Sequence, residues 1–423
     1  MGLKVITLNN KVIKYLFSNT ISNGMNFLSR WLVNYGLARF MSLSDFGIFS
    51  FIRSLANLFK SIMSFGGQLF LIYKVSKERE LKYYYFLKSA FLSVVIAIIL
   101  GGVLLVLSFF DQSIINTNHF LFAVLLASFM VLIQNTYSFF KGNGLFDKEA
   151  KGYILYLFFV LCLLAGLFLQ LISPTLVNML GVVLVMNLVL FVFSFFQLYK
   201  YYKNDETNEE IQNVKKNMKA FIKERAPYGF HELQSALYLN AIIIIMGFLV
   251  KDEDLAIYRS IQIIIVPISI FPMIFSQVLL KQLSENIDNG EYFILLFRKF
   301  LFVALLTGFL LFTLFYFQGN NIVDLFYGNK FQDLNYINEL LLIFASTYLF
   351  RFVSANYGVL ITARDKQKIR VYATSALIVV TIVSTILLTK SMGIIGAAYA
   401  NAISYLFLML VYVVYAEIKL LKR

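Results

Sequence analysis

Long apolar stretches alternate with short polar ones along nearly the whole chain. Most of them reach about the 20 residues that a helix needs to cross the hydrocarbon core of a bilayer. The longest hydrophilic stretch, Lys200 to Arg225, divides them into two sets of six. The pattern predicts twelve spans, at residues 13–39, 46–72, 86–110, 119–140, 152–172, 176–199, 228–250, 255–280, 294–317, 337–361, 371–389 and 394–416.

The sequence therefore predicts an all-α polytopic membrane protein with about twelve transmembrane helices in two parallel six-helix lobes around a central cavity. The lobes are predicted at residues 1–203 and 227–423, joined by a cytoplasmic linker at 204–226. Two repeats in parallel orientation, with the binding site between them, are a common transporter design.

The openings of the second and eighth spans support this repeat. Span two opens with Asp45-Phe46-Gly47-Ile48-Phe49, and span eight opens with the similar Asp254-Leu255-Ala256-Ile257-Tyr258. Pro267 and Pro272 interrupt span eight and predict a kink there, because proline lacks a backbone N–H and its ring clashes with the preceding turn.

Composition excludes a soluble protein of several domains. Hydrophobic residues make up 60% of the 423 residues and charged residues 14%, against about 45–50% and about 25% in soluble proteins. One cysteine, Cys162, allows no intrachain disulfide, and two histidines leave little for metal or acid–base chemistry. The sequence shows no phosphate-binding loop and no catalytic triad, so the chain is predicted not to be an enzyme and not to bind a cofactor or metal.

The distribution of lysine and arginine predicts the orientation. Of the 37 basic residues, 28 fall at the two termini or in the loops on the same side as the termini, and four fall on the opposite side. Because cytoplasmic loops are enriched in lysine and arginine, this bias predicts an even number of spans with both termini in the cytoplasm. Most of the net charge of +14 is thus explained by the topology and by contact with anionic lipid, and not by binding of nucleic acid.

The other five basic residues fall inside predicted spans, where a cation is costly unless it faces a cavity or a partner. At about 100° per residue, these cations share helix faces with polar side chains on the first, second, eighth and tenth helices. For Arg53 and Arg259, which lie near the start of their spans, the alternative is a side chain that extends to the outer interface. For the other three cations it is a structural ion pair, and for the polar faces it is contact between helices. The predicted substrate-binding residues are Arg30, Arg53, Lys60, Arg259, Arg351, Asn23, Asn26, Asn34, Asn57 and Gln262.

Acidic residues are scarce within the spans. Glu232, beside His231 in the seventh span, is the clearest one, with a role as an internal counter-ion or as an ion-coupling site. Five cations against one or two carboxylates predict a positively charged cavity. Such a cavity suits a substrate with phosphate groups, to which arginine donates paired hydrogen bonds.

Short motifs at several places resemble a known family. They are Gly36-Leu37-Ala38-Arg39-Phe40 followed by Leu43-Ser44-Asp45-Phe46-Gly47-Ile48-Phe49, then Tyr327-Gly328-Asn329-Lys330-Phe331, Thr362-Ala363-Arg364-Asp365-Lys366 and Gly393-Ile394-Ile395-Gly396-Ala397-Ala398. In these the chain resembles the Wzx-type polysaccharide-export flippases of the multidrug/oligosaccharidyl-lipid/polysaccharide (MOP) superfamily. The resemblance implies a MATE-like fold that flips undecaprenyl-pyrophosphate-linked oligosaccharides from the cytoplasmic to the outer leaflet for O-antigen or other surface polysaccharide.

The resemblance also implies roles for three arginines. Related lipid II flippases use arginines in helices one, two and eight, and Arg30, Arg53 and Arg259 lie in comparable places. That family's acidic neighbour of the first-helix arginine is replaced here by Trp31. The expected partners are a polyprenyl-pyrophosphate-linked glycan, membrane lipids and polysaccharide assembly enzymes. Because the sequence has no nucleotide site, the expected energy source is a proton, sodium or potential gradient, or downstream consumption of the product.

Two other functions stay open from the sequence. A MATE-type drug or cation antiporter would share the fold but needs carboxylates within the membrane, which are scarce here. A membrane-embedded polysaccharide polymerase or glycosyltransferase would show a large outer loop that carries carboxylates, and the longest candidate, Gln318 to Tyr336, is modest.

Overall fold

The computed structural model describes residues 10–110, 117–205, 218–287, 289–331, 334 and 336–421. Residues 206–217 of the predicted linker lie outside this part of the chain. The described residues form helices joined by short turns, with no strand among them. The helices are α1 (Asn10–Phe40), α2 (Leu43–Ser64), α3 (Gly67–Lys77), α4 (Lys82–Phe110), α5 (Thr117–Gly142), α6 (Phe146–Phe168), α7 (Leu176–Lys203), α8 (Met218–Leu249), α9 (Asp252–Ile265), α10 (Ile270–Glu285), α11 (Gly290–Tyr327), α12 (Ile337–Ala363) and α13 (Gln367–Lys419).

These helices occupy the twelve predicted positions. Nine helical segments of the described chain are long and apolar enough to cross a membrane, and the prediction of an all-α multi-pass membrane protein is confirmed. The second predicted span consists of α2 and α3. The eighth consists of α9 and α10 with a 3₁₀ turn, Val266–Ser269, between them, so the chain departs from the α-helix where Pro267 was expected to interrupt it.

The last two predicted spans are the two parts of α13, which meet at Gly393. This glycine has φ +59° and ψ −137°, which lies outside the helical region. Glycine adopts this conformation without steric cost because it has no Cβ. Thr381 and Ser404, at nearly equal distances along the chain on either side of it, are joined by a hydrogen bond of 3.0 Å. The two parts therefore run side by side as a hairpin, and a Cβ at Gly396 would lie 1.9 Å from the Leu388 carbonyl oxygen.

The seventh span begins earlier than the apolar pattern indicates. Helix α8 starts at Met218 and continues through Pro227, so residues 218–226 of the predicted linker are helical. Polar residues crowd this first part of the helix, and a hydropathy pattern cannot separate a polar helix end from a loop. The difference matters because it places Arg225 on a helix.

The chain packs as two compact units. The N-terminal unit comprises Met1–Phe40 and Ile52–Ala236, and the C-terminal unit comprises Met41–Phe51 and Leu237–Arg423. In the N-terminal unit α1 packs mainly on α6, and α5 packs on α3, α4 and α7. In the C-terminal unit α12 is the central helix and packs on α10, α11 and α13.

Large apolar side chains cover the outer surfaces of both units. On α4, Phe91 and Ile98 are 60% and 68% exposed, and on α11, Phe302 and Phe309 are 66% and 60% exposed. Contiguous apolar surface of this kind is uncommon in soluble monomers but normal where lipid tails are the solvent. Some polar side chains are buried inside each unit, such as Asn135 in the N-terminal unit and Thr385 in the C-terminal unit.

Candidate functional site: a cationic pocket in each unit

A pocket of about 200 Å³ opens within the N-terminal unit. Four cationic side chains line this N-terminal pocket: Arg30 from α1, Arg53 and Lys60 from α2, and Lys141 from α5. Among its described lining residues one carboxylate is present, that of Glu149 on α6. The remaining wall is formed by amides, tyrosines and aliphatic side chains.

Cations outnumber carboxylates in the described lining of this pocket. Lys141 and Glu149 form a buried ion pair, with 2.8 Å between Nζ and Oε2, so their charges compensate each other. The other basic side chains of the described lining are Arg30, Arg53 and Lys60. Because an effective dielectric constant well below that of water strengthens electrostatic interactions, this pocket favours an anion.

Helix geometry explains why these side chains meet. On α1 the polar positions 23, 26 and 30 recur at intervals of three and four residues, and on α2 Arg53 and Lys60 lie seven residues apart, which places each set on one helix face. The structure brings together five of the predicted site residues in the N-terminal pocket: Asn23, Asn26, Arg30, Arg53 and Lys60.

Two predicted residues on the same helices do not line this pocket. The Asn34 amide donates to the Arg30 carbonyl oxygen one turn earlier, at 2.8 Å. Asn57 is half-buried on α2, and its carbonyl oxygen accepts from the Ser61 hydroxyl. Sharing a helix face therefore did not suffice to place these side chains at the pocket.

The second predicted span is broken in the middle, which the sequence pattern did not predict. Between α2 and α3, Phe65 and Gly66 have φ of +39° and +80°. Glu232 of α8 holds this break: its Oε2 accepts from the Ser64 hydroxyl at 2.9 Å and from the Gly66 backbone N–H at 2.8 Å. The carboxylate thus satisfies a donor at the N-terminus of α3, where the helix dipole favours negative charge.

Arg225 of α8 stabilises the other side of the same break. Its guanidinium donates from Nε to the Phe65 carbonyl oxygen at 2.9 Å and from Nη2 to the Ser64 carbonyl oxygen, and the residue is fully buried. These two carbonyls belong to the end of α2, which has no helical partner for them. We call Arg225, Glu232 and the chain at Ser64–Gly67 the hinge cluster. Lys60 has Glu232 and Arg30 as charged neighbours, so the hinge cluster and the N-terminal pocket are electrostatically connected.

The structure places the remaining predicted residues elsewhere. Arg351 lines a second pocket, of about 480 Å³, within the C-terminal unit. Arg259 and Gln262 of α9 line neither of these two pockets; Arg259 Nη1 donates to Gln262 Oε1 at 2.5 Å. His231 is exposed on α8, and its carbonyl oxygen accepts from the Ser235 hydroxyl.

Several residues of these sites were missed by the sequence argument. Lys141 and Arg370 fall in predicted loops and Arg225 in the predicted linker, and no sequence pattern indicates Glu149 as a pocket residue. The Gly66-Gly67 pair in the middle of an apolar span was a usable signal, since paired glycines often mark a break or a close approach of two backbones.

Comparison with known proteins agrees with the fold. The family profile described as polysaccharide biosynthesis protein matches residues 8–285, whereas no protein of curated function matches the chain in sequence. The fold is similar to an inward-facing multidrug resistance MATE family transporter of the MOP superfamily (TM-score 0.71, 12% identity, 95% of this chain and 94% of the other covered). It is also similar to the lipid II flippase MurJ in an inward closed conformation (TM-score 0.71, 17% identity, 94% and 87% covered).

A third similar structure is a MOP superfamily transporter from Pyrococcus furiosus, described as having a binding pocket of reversed polarity (TM-score 0.58, 13% identity, 97% and 95% covered). At these identities the likeness concerns the fold alone. It confirms the expected MOP fold for this chain and leaves the choice of substrate to the chemistry of the pockets.

Proposed function

Because the chain belongs to the polysaccharide biosynthesis protein family and has the MOP fold, we propose that it is a Wzx-type flippase. Its substrate would be an undecaprenyl-pyrophosphate-linked oligosaccharide repeat unit, moved from the cytoplasmic to the outer leaflet for assembly of O-antigen or another surface polysaccharide. The polyprenyl tail would stay in the bilayer while the polar headgroup crosses through the protein. The bacterial inner membrane and partnership with polysaccharide assembly enzymes are part of this proposal.

The observation that carries the proposal is the excess of cations over carboxylates along the N-terminal pocket, whose described lining has four cationic side chains and one carboxylate. A diphosphate presents several acceptor oxygens, and Arg30 and Arg53 offer the planar donors that bind such groups in pairs. Lys60 adds a third positive charge, but its ammonium group lacks the planar paired donors of a guanidinium. Asn23 and Asn26 add amide groups that can bind the headgroup by neutral hydrogen bonds.

The drug or cation antiporter is the alternative on the same fold. It would need a carboxylate available in its pocket, and the carboxylate of Glu149 is already paired with Lys141. A pocket lined by Arg30, Arg53 and Lys60 would repel a cationic drug. The charge of this pocket therefore favours the flippase.

The proposed site is tested by export measurements on charge-removal variants. A charge-assisted hydrogen bond contributes about 1.5–3 kcal/mol, so Arg30→Gln or Arg53→Gln should lower glycan export about ten- to a hundredfold. Arg53→Lys keeps the charge but loses the paired donors, so it should retain part of the export that Arg53→Gln loses. The completed lipid-linked repeat should accumulate in the cytoplasmic leaflet. The matched control is Lys390→Gln, which removes an exposed charge that lines neither pocket.

Protein abundance in the membrane must be measured in parallel. If both glutamine variants insert normally and export at the wild-type rate, the pocket does not bind the diphosphate and the proposal is wrong. If they instead disappear from the membrane, the two arginines serve the fold. The predicted roles of Arg259, Gln262, Asn34 and Asn57 stay predictions that the same assay can test.

Energy coupling is proposed at the hinge cluster. Glu232, with His231 next to it on the exposed face of α8, would bind the proton or sodium ion whose gradient drives transport. The support is its position, since a carboxylate that holds the break between α2 and α3 can link ion binding to the shape of that span. Direct ATP-driven flipping by the purified protein, with no gradient present, would refute gradient coupling.

The orientation can be tested with single-cysteine reporters. In a Cys162→Ala background, Lys366→Cys should be labelled from the cytoplasm and Asp252→Cys from outside, because lysine and arginine are concentrated on the side of Lys366. A membrane-impermeant maleimide added to intact spheroplasts distinguishes the two sides. Labelling of both positions from one side would overturn the twelve-span topology.

A further inference from the structure

The C-terminal pocket is formed by side chains of several helices of the C-terminal unit. Tyr238 comes from α8, Ser276 from α10, Arg351 from α12, and Arg370 and Tyr405 from α13. Its volume of about 480 Å³ is within the usual range for pockets that bind small organic ligands. This pocket has a different composition from the N-terminal pocket, because tyrosines and hydroxyl groups make up much of its polar wall.

Arg351 is held in place by aromatic rings. The carbon at the centre of its guanidinium lies 4.7 Å from the ring centroid of Tyr348 and 4.9 Å from that of Tyr405. Tyr238 packs edge-on against Tyr405, with 5.5 Å between the ring centroids. Tyr348 also forms a side-chain hydrogen bond with Arg351. A guanidinium has four N–H donors beyond the one used in such a bond, so Arg351 is held in place and can still donate to a ligand.

Arg370 brings a second guanidinium to the same pocket. Its Nη1 donates to the Thr362 hydroxyl at 2.6 Å, and a guanidinium has four further N–H donors. Thr362 and Ser354 of α12 donate their own hydroxyl protons to backbone carbonyls of α12, at 2.9 and 3.1 Å. Their oxygens can therefore accept hydrogen bonds from a hydroxylated ligand.

No acidic side chain balances these two cations at the pocket. None of its described lining residues is acidic. The single acidic residue of α12, Glu339, accepts from the Tyr399 hydroxyl at 3.2 Å. The single acidic residue of α13, Glu417, pairs with Arg298 at 2.7 Å and accepts from Tyr357 at 2.5 Å. Both carboxylates of the two helices that carry the guanidiniums are thus engaged away from the pocket, which favours an anionic ligand.

We infer that the C-terminal pocket binds a sugar residue that carries an anionic group, with Arg351 and Arg370 binding the anion and the tyrosine rings packing against the sugar ring. Apolar C–H faces of sugars pack well on aromatic rings, and sugar hydroxyls pair with hydroxyl oxygens such as that of Thr362. The inference rests on the proposed function, because this sugar would be part of the transported glycan. It adds a substrate class: repeat units that contain a uronic acid or another acidic sugar.

The test is isothermal titration of the full chain in detergent micelles with two soluble disaccharides. Cellobiouronic acid, a glucuronic acid joined to glucose, is compared with cellobiose, its neutral counterpart. The acid should bind about tenfold or more tightly than cellobiose, since paired guanidinium donors recognise its carboxylate. Arg370→Gln and Arg351→Gln should each weaken binding of the acid by about tenfold and leave cellobiose unchanged. Tyr405→Ala should weaken both ligands.

Further variants and ligands keep the interpretation clear. Arg351→Lys retains the charge and the ring contact, so it should fold normally and lose only part of the affinity. Arg30→Gln, in the other pocket, should leave both disaccharides unaffected, so a failure of this inference and a failure of the proposed diphosphate site give separate results. Equal affinity for the acid and cellobiose would overturn the inference. So would unchanged binding in a folded Arg370→Gln protein, or binding of inorganic phosphate as tight as that of the acid.

Discussion

The hinge cluster makes a sharp prediction about local stability. Glu232→Gln keeps the size of the side chain but removes its charge. The two bonds at stake run from the Ser64 hydroxyl and the Gly66 N–H to one carboxylate oxygen, at 2.9 and 2.8 Å. A hydrogen bond to a charged group contributes about 1.5–3 kcal/mol and a neutral one about 0.5–1.5 kcal/mol. The substitution should therefore cost about 2 kcal/mol at the start of α3.

This cost is measured best by amide hydrogen exchange. A change of about 2 kcal/mol raises the population of the locally open state about thirtyfold. Exchange at the backbone amide of Gly66 should speed up by the same factor in Glu232→Gln. The melting temperature of the whole protein is a poorer measure, because removal of a half-buried charge also removes its desolvation cost. The matched control is Glu80→Gln, an exposed carboxylate in the turn before α4, which should leave exchange at Gly66 unchanged.

Arg225→Met provides the complementary perturbation. It leaves the carbonyl oxygens of Ser64 and Phe65 without their guanidinium donors in a buried place. Unsatisfied buried acceptors cost about 1–3 kcal/mol each, so opening of the segment should increase again. If exchange at Gly66 stays within about threefold of wild type in both variants, α8 does not hold the break, and the proposed link between Glu232 and the shape of the second span fails with it.

Two further predictions concern thermal or denaturant unfolding of the purified protein. Gly66→Ala should destabilise the folded protein strongly. The φ of +80° strains any other residue by about 1–2 kcal/mol, and the new Cβ would lie 2.3 Å from the Gly229 nitrogen. The control is Gly181→Ala, which should be neutral or stabilising because its new Cβ would have nothing within 4 Å. Glu149→Gln should cost about 3–5 kcal/mol by leaving Lys141 buried without its counter-ion, and adding Lys141→Met should recover most of the loss; equal stability of the single and double variants would contradict this.

The sequence predicts the framework of the fold well because the bilayer simplifies the problem. A span must be apolar and of sufficient length, so hydropathy alone locates it. The short connection before Gly393 and the interruption of span eight near Pro267 can also be predicted from the sequence, since glycine and proline act on the backbone locally. The polar faces of α1 and α2 can be predicted for a similar reason. On α1, for example, the helical period places Asn23, Asn26 and Arg30 on one face.

What the sequence could not predict depends on contacts between helices distant in the chain. The break after Ser64 is held by Glu232 and Arg225, more than 150 residues away, and no local pattern near residue 64 specifies them. Helical phase gives the direction of a side chain but not its neighbours. Arg30 and Arg351 are predicted to line one cavity. Each lines a pocket of its own unit, and the shared cavity stays a prediction.

The two pockets differ in a way that matters for the choice of substrate. A lipid-linked diphosphate with a neutral glycan would need only the cations of the N-terminal pocket. The C-terminal pocket nevertheless carries two guanidiniums. One of them, Arg351, lies within a span, where a cation costs several kilocalories per mole unless a partner compensates it. The only carboxylates of α12 and α13 are engaged elsewhere. A second anionic group on the substrate, in the glycan itself, would provide the negative charge that no described residue lining this pocket supplies. The two pockets together therefore favour an acidic repeat unit over a neutral one.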